Sequence, residues 1–430
     1  MKSRVAVIGA GWAGCAAAVE ATRLGHQVTL FEAARTVGGR ARKVDVDYQG
    51  QTLALDNGQH ILIGAYTDTL QLMKDVGVDA DAGLLRMPLT LQFPDGDGLK
   101  LPDLPAPLDA LWGILTARGW WWSEKFSLLK VATGWRLKNF ACAPELSVAD
   151  ICKGLPQRIM ATFIEPLCVS ALNTPPERSS GQVFLRVLHD SLFSVSGGSN
   201  LLLPRLDLGA LLPGAACGWL QVKGAAVHTG ARVQSIAQTT AGWQLQLDAI
   251  DSGSSTQLFD RLILACPPQE AARLLDTTAL PCKNWLVAAR ALEHEAIATV
   301  YAMARGTRLP LPMLALRSAE GFPAQFVFDR GQLGGPAGLL AFVISASHGG
   351  AAALASQVQQ QATAQLGLKD MQVLQTIVEK RATFACTPGL QRPAMRVAEH
   401  LLACGDYVEG PYPATLEGAV RSGLAAARSL

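Results

Sequence analysis

Gly9-Ala-Gly11-Trp-Ala-Gly14 follows directly on the apolar run Arg4-Val5-Ala6-Val7-Ile8. The run predicts a buried strand. The glycines predict a tight turn into a helix over Ala13–Leu24, stopped by Gly25. A second apolar run, Val28-Thr-Leu-Phe31, ends at Glu32, eighteen residues after Gly14. Strand, glycine turn, helix, strand and terminal acid together form a unit that binds a dinucleotide. Gly9 makes the turn, Gly11 lets the backbone approach a pyrophosphate, and Gly14 lets the helix pack close to the strand. The helix N-terminus aims amide N–H groups and its positive dipole end at the phosphates. Glu32 stands where a carboxylate accepts from both ribose hydroxyls and repels a 2′-phosphate. FAD or NAD is therefore expected, and NADP is not.

Val37-Gly38-Gly39-Arg40 chooses between them. A second glycine turn closed by an arginine supplies further donors for a large diphosphate. This combination resembles the FAD-binding N-terminus of the amine oxidase and phytoene desaturase superfamily. The C-terminal end matches independently, with Gly405-Asp406 after an apolar strand and Leu416-Glu417-Gly-Ala419 opening a last helix. A carboxylate there can accept from a ribityl chain, and the helix N-terminus can stabilise negative charge on a flavin ring edge. The resemblance also places a backbone contact to adenine at Val233. It implies an α/β chain with discontinuous domains. A Rossmann-like, GR2-type FAD-binding domain is expected from 1–75, 200–275 and 385–430. A second, α+β substrate domain is expected from 76–199 and 276–384.

Composition limits the rest. A chain of 430 residues is long enough for two domains, and a net charge of +2 does not suit a nucleic-acid binder. With 49% hydrophobic and 17% charged residues, a large core, an apolar cavity or a membrane-facing patch is expected. No uninterrupted apolar run reaches the roughly 18 residues of a spanning helix, and the N-terminus reads straight into the first strand, without a signal peptide. Nine cysteines without CxxC or His/Cys clusters read as reduced cytoplasmic thiols, with no metal site. Between Asp75 and Ser199 the pattern is mainly helical, and Val222–Cys266 is rich in strands. There, Gly242-Trp-Gln-Leu-Gln-Leu-Asp248 alternates as a half-buried strand does, and Asp251–Ser255 reads as a hairpin turn.

Three further stretches narrow the resemblance: Leu55-Asp-Asn-Gly58-Gln59-His60-Ile-Leu-Ile-Gly-Ala-Tyr66, Phe163-Ile-Glu165-Pro-Leu-Cys-Val-Ser-Ala-Leu-Asn173, and Gln182-Val-Phe-Leu-Arg186-Val-Leu-His-Asp190-Ser-Leu-Phe193. They look like the squalene-associated FAD-dependent desaturases, the hydroxysqualene dehydroxylases. The likeness spans nearly the whole chain and is weakest over 284–381. It implies reduction of an apolar C30 allylic alcohol, hydroxysqualene, to squalene in squalene and hopanoid biosynthesis, with Gly58, Gln59 and His60 at the flavin. Such chemistry needs a dry apolar tunnel and one acid. His60, Glu165 and Asp190 are the candidate acids, and each has a structural alternative: an ion pair with Arg158 or Arg186, or simple flavin contact. No second GxGxxG is present, which leaves the electron donor open. A carotenoid desaturase, an amine oxidase and a non-enzymatic isoprenoid carrier are the competing readings. Trp120-Trp121-Trp122, flanked by Arg118, Lys125, Lys130, Arg136 and Lys138, suits peripheral docking at a membrane interface. The alternative for that segment is a core helix with snorkelling basic side chains.

Overall fold

A computed structural model of the chain describes residues 2–194, 196–248 and 256–430. Its central sheet takes strands from three separated stretches of sequence. The order across it is Ala226–Thr229, Gln27–Glu32, Arg4–Ile8, Arg261–Leu264, Leu401–Ala403 and Arg396–Ala398. The first five strands are parallel and the last is antiparallel. Parallel strands covered on both faces read as continuous apolar runs, which is how Val5–Ile8 and Leu262–Leu264 read. The predicted helix runs over Trp12–Arg23, with Gly25 in the left-handed region at φ +89° as its stop.

That helix lies between the sheet and the last helix, Leu416–Arg428, at very short range. A Cβ on Gly14 would fall 1.8 Å from the Gly9 carbonyl oxygen. One on Gly423 would fall 2.2 Å from the Ala13 carbonyl oxygen. The backbones approach so closely that only hydrogen fits at either position.

A second, five-stranded antiparallel sheet orders Met313–Ala315, Phe326–Asp329, Leu339–Ile344, His294–Met303 and Gln372–Phe384. Its strands alternate with period two. Ala298, Val300, Ala302, Leu340 and Phe342 pack under the helix Ala351–Leu366 through Leu354, Val358 and Ala362. Ile297, Phe326, Phe328 and Val343 face the other way.

One expectation is modified. After one short helical turn, Ala80–Gly83, the stretch that follows Asp75 continues with the strands Leu84–Met87, Thr90–Gln92 and Gly98–Lys100 before the helices Leu108–Thr116 and Trp122–Leu137 begin. Leu84–Met87 pairs with Leu201–Pro204, a contact over more than a hundred residues that local periodicity cannot reveal. Gly242–Leu247 is the alternating strand the sequence predicts and pairs with Thr256–Phe259, but the turn at 251–255 lies outside the described residues.

Because Gly423 has no room for a methyl group, Gly423→Ala is expected to cost about 1–3 kcal/mol. Urea denaturation checks this through a lowered midpoint at unchanged slope.

Candidate functional site

A cleft of about 860 Å³ runs from the first glycine turn to the apolar face of the antiparallel sheet. Ligand sites usually occupy roughly 300–1,000 Å³.

At one end, Gly9, Gly11, Glu32 and Val233 line the wall. No side chain caps the helix that starts at Trp12, so its first amides stay open to an anion. The Glu32 carboxylate accepts from Ala10 N and Ala34 N, both at 2.8 Å, which fixes its direction. The Val233 carbonyl accepts from Arg273 Nη2 at 2.9 Å. Gly14 does not line the cleft and acts through packing alone.

In the middle, Gly38 and Gly39 have φ of +112° and +61°, the region that favours glycine. They hand the chain to Arg40, whose guanidinium pairs with Asp406 and donates to the Ala382 carbonyl at 2.6 Å. Asn57 Nδ2 donates to the Arg40 carbonyl at 2.8 Å and ties in the loop Gly58–His60. Gln59 N donates to Thr299 Oγ1 at 3.4 Å, and Gln59 Oε1 accepts from the buried Arg330 at 3.3 Å. His60 Nδ1 donates to the Gly58 carbonyl at 2.7 Å, so the neutral ring keeps Nε2 as an acceptor. Burial lowers the pKa of this histidine. Just before the loop, burial pushes the Asp56 carboxyl up to about 7.

Gly405, Asp406, Leu416 and Ala419 also line the cleft. The last helix is capped by Thr415, whose Oγ1 accepts from Gly418 N at 2.9 Å. Ala419 N donates to the Thr415 carbonyl, so Leu416 and Glu417 contribute the open amides there.

The Glu417 side chain is turned away from the cleft and is fully buried. It accepts from Asp68 N, from Thr69 N and Oγ1, and from Arg421 Nε at 2.7 Å. The carboxylate is consumed by the start of the helix Thr67–Asp75, where the positive dipole end favours it. Glu165 and Asp190 also lie off the cleft wall. Glu165 opens the helix Glu165–Leu172 at the surface, where burial first, then the Glu177 carboxylate, raises its pKa. Asp190 bonds His189 Nδ1 at 2.7 Å and accepts from the Tyr412 hydroxyl at 2.7 Å. Of the three candidate acids, His60 lines the cleft.

The far wall is apolar: Val169, Ala171, Ile297, Phe326, Phe328 and Val343. Ser345, Asn173 and Glu379 interrupt it. Most of this wall comes from the stretch where the sequence resemblance is weakest. The alternation of its strands was the available signal, and it does not say which alternate face meets a cofactor.

The tryptophan run divides. Trp120 is core, 8% exposed, with Nε1 donating to Thr162 Oγ1 at 3.0 Å. Trp121 and Trp122 are 67% and 62% exposed and share the surface with Leu108, Leu111, Trp112 and Phe126. Trp120 and Trp121 precede the helix, which begins at Trp122, and the chain turns Trp120 into the core before Trp121 and Trp122 emerge at the surface.

The profile of the flavin-containing amine oxidoreductases matches residues 12–430. The chain belongs to that family. Like other flavin-containing amine oxidoreductases it is an FAD-dependent oxidoreductase. The fold agrees. A solved oxidoreductase from Methanosarcina mazei superposes with a TM-score of 0.75 at 15% identity, over 99% of this chain and 100% of that one. Among curated relatives, the hydroxysqualene dehydroxylase of Rhodopseudomonas palustris is 27% identical over 99% of this chain and 98% of its own length. The zeta-carotene desaturase of Zea mays is 42% identical, but over 18% of this chain and 13% of its own. The residues present suit FAD: open helix amides, a backbone cradle of glycines, an anchored Glu32, and the Arg40–Asp406 pair.

Glu417→Ala should lower stability by about 2–3 kcal/mol. This is less than the roughly 3–5 of a fully buried pair, because Arg421 keeps Asp68 and some solvent. FAD affinity of the folded variant should change little. Thermal melts and flavin titration separate the two effects.

Proposed function

We propose that this oxidoreductase removes the hydroxyl of hydroxysqualene reductively to give squalene. The observation that carries the reading is full-length similarity to a hydroxysqualene dehydroxylase, on a chain whose cleft leads from the dinucleotide turn to an apolar wall. In this reading the open amides after Gly11 and the Gly38–Gly39 turn hold the diphosphate, Glu32 the ribose and Asp406 the ribityl chain. Reduced FAD supplies hydride when bound. The chain supplies the rest. Ile297, Phe326, Phe328 and Val343 bind isoprenoid and exclude water, so a developing allylic cation is not captured as alcohol. His60, which lines the cleft and keeps Nε2 as an acceptor, is the polar contact for the departing hydroxyl. The overall change balances: alcohol, one proton and one hydride give hydrocarbon and water.

Two competing readings have weaker support. The carotenoid desaturase likeness is short. An amine oxidase would use aromatic side chains at the flavin, and of Phe384 and Tyr407 only Tyr407 lines the cleft.

Anaerobic, photoreduced protein mixed with hydroxysqualene should reoxidise its flavin and form one squalene per flavin, read by absorbance and mass. Reoxidation without squalene would leave the flavoenzyme and remove this substrate.

We propose further that the helices Leu108–Thr116 and Trp122–Leu137 dock on anionic lipid. Supporting this are the exposed Leu108, Leu111, Trp112, Trp121, Trp122 and Phe126 beside exposed Arg118, Lys130, Arg136 and Lys138. Among the described residues no helix is long and apolar enough to cross a membrane. Replacing both Trp121 and Trp122 with Ser should reduce co-sedimentation with phosphatidylserine vesicles several-fold while bound FAD is retained. Unchanged sedimentation would remove this surface.

A further inference from the structure

Four carboxylates line the cleft: Glu32, Glu270, Glu379 and Asp406. Three are engaged. Glu32 accepts from Ala10 N and Ala34 N, Glu270 accepts from Arg273 Nε at 2.9 Å, and Asp406 pairs with Arg40. The Glu379 backbone is part of the strand Gln372–Phe384, but its carboxylate makes no hydrogen bond or ion pair to any described residue.

Its place in the sheet is specific. Glu379 stands directly opposite Ile297, while Thr299 stands opposite both Ile377 and Val343, and Val343 opposite Phe326. Directly paired residues share a face, so one carboxyl stands at the edge of the apolar floor. The register then breaks. Glu295 pairs with Thr383 but Ile297 with Glu379, so 380–382 bulge against a single residue. Bulges re-aim side chains and end pairing beside active sites. This one is pinned, since the Ala382 carbonyl accepts from Arg40, the residue that also holds Asp406. The Gly58–His60 loop reaches the same floor through Gln59 N on Thr299. Glu379 thus sits where the cofactor turn, the loop bearing His60 and the isoprenoid wall converge.

We propose that Glu379 is the general acid for the leaving hydroxyl, an inference that rests on the dehydroxylation reading above. Its carboxyl proton passes to the substrate hydroxyl oxygen. The C–O bond breaks with its electron pair, water departs, and an allylic cation remains. The cation would then be closed as a C–H bond by the hydride that bound, reduced FAD would supply. Glu379, now a carboxylate, faces the cation while it exists and afterwards takes a proton back from water. An unpaired carboxyl beside an apolar floor suits both halves of this step. A carboxylate already held by an arginine, such as Asp406, suits neither.

Glu379→Gln tests it in two ways. In anaerobic single turnover, hydroxysqualene reduction should fall by about 10²–10⁴-fold, the usual contribution of a positioned acid, and Glu379→Asp should recover part of it. Without FAD, tryptophan fluorescence of the apoprotein should show a tertiary-amine isoprenoid analogue, a cation mimic, binding roughly tenfold more weakly to Glu379→Gln than to wild type. The neutral alcohol should bind both alike. An amine-to-alcohol affinity ratio equal to that of wild type overturns the assignment even in a variant that loses FAD. Wild-type turnover in Glu379→Gln overturns it as well. Wild-type protein that forms no squalene instead overturns the dehydroxylation reading on which the inference stands.

Discussion

The structure depends on backbone contact at glycine. The helix Trp12–Arg23 can lie on the Gly9 turn because Gly14 carries no Cβ, and Leu416–Arg428 can lie on that helix because Gly423 carries none. These contacts fix where the uncapped amides after Gly11 point. What the glycine-turn end of the cleft can hold follows from that direction, because amide dipoles stabilise an anion only where they converge. The same packing stacks the N-terminal and C-terminal segments of the chain, and so brings Gly405 and Asp406 to the site.

Arg40 is the electrostatic counterpart of that packing. One guanidinium spans Asp406 and the Ala382 carbonyl, while its own carbonyl accepts from Asn57. It therefore joins the second glycine turn, the loop before His60, the C-terminal strand end and the bulge beside Glu379. Partial burial makes such a junction stiffer than a surface ion pair, since less water competes for its donors. The apolar wall beyond it is built differently, from period-two strands whose other face is spent on the helix Ala351–Leu366. Polar groups on the cleft face are few, and those present acquire chemical meaning from their isolation.

Much of the geometry at the glycine-turn end of the cleft was legible from residues alone. Gly9, Gly11, Glu32, Gly38, Gly39 and Arg40 lie within one local unit, and local spacing fixes local geometry. Long-range geometry was not legible. Glu417 sits in a matching motif, yet its carboxylate is spent on the helix Thr67–Asp75, which is remote in sequence. Glu165 and Asp190 also sit in matching motifs but lie off the cleft wall. Trp120 and Trp121 are neighbours in sequence and opposite in environment.

The sequence by itself determined the glycine turn after the first strand, the acid at the end of the second, the arginine after the second glycine pair and the apolar character of the remainder, because each is a matter of residue type at short spacing. The tertiary structure alone decided which carboxylates face the cleft and which are bound elsewhere. That choice depends on strand register and on the bulge at 380–382 opposite the step from Glu295 to Ile297, and pairing across some eighty residues leaves no trace in local pattern.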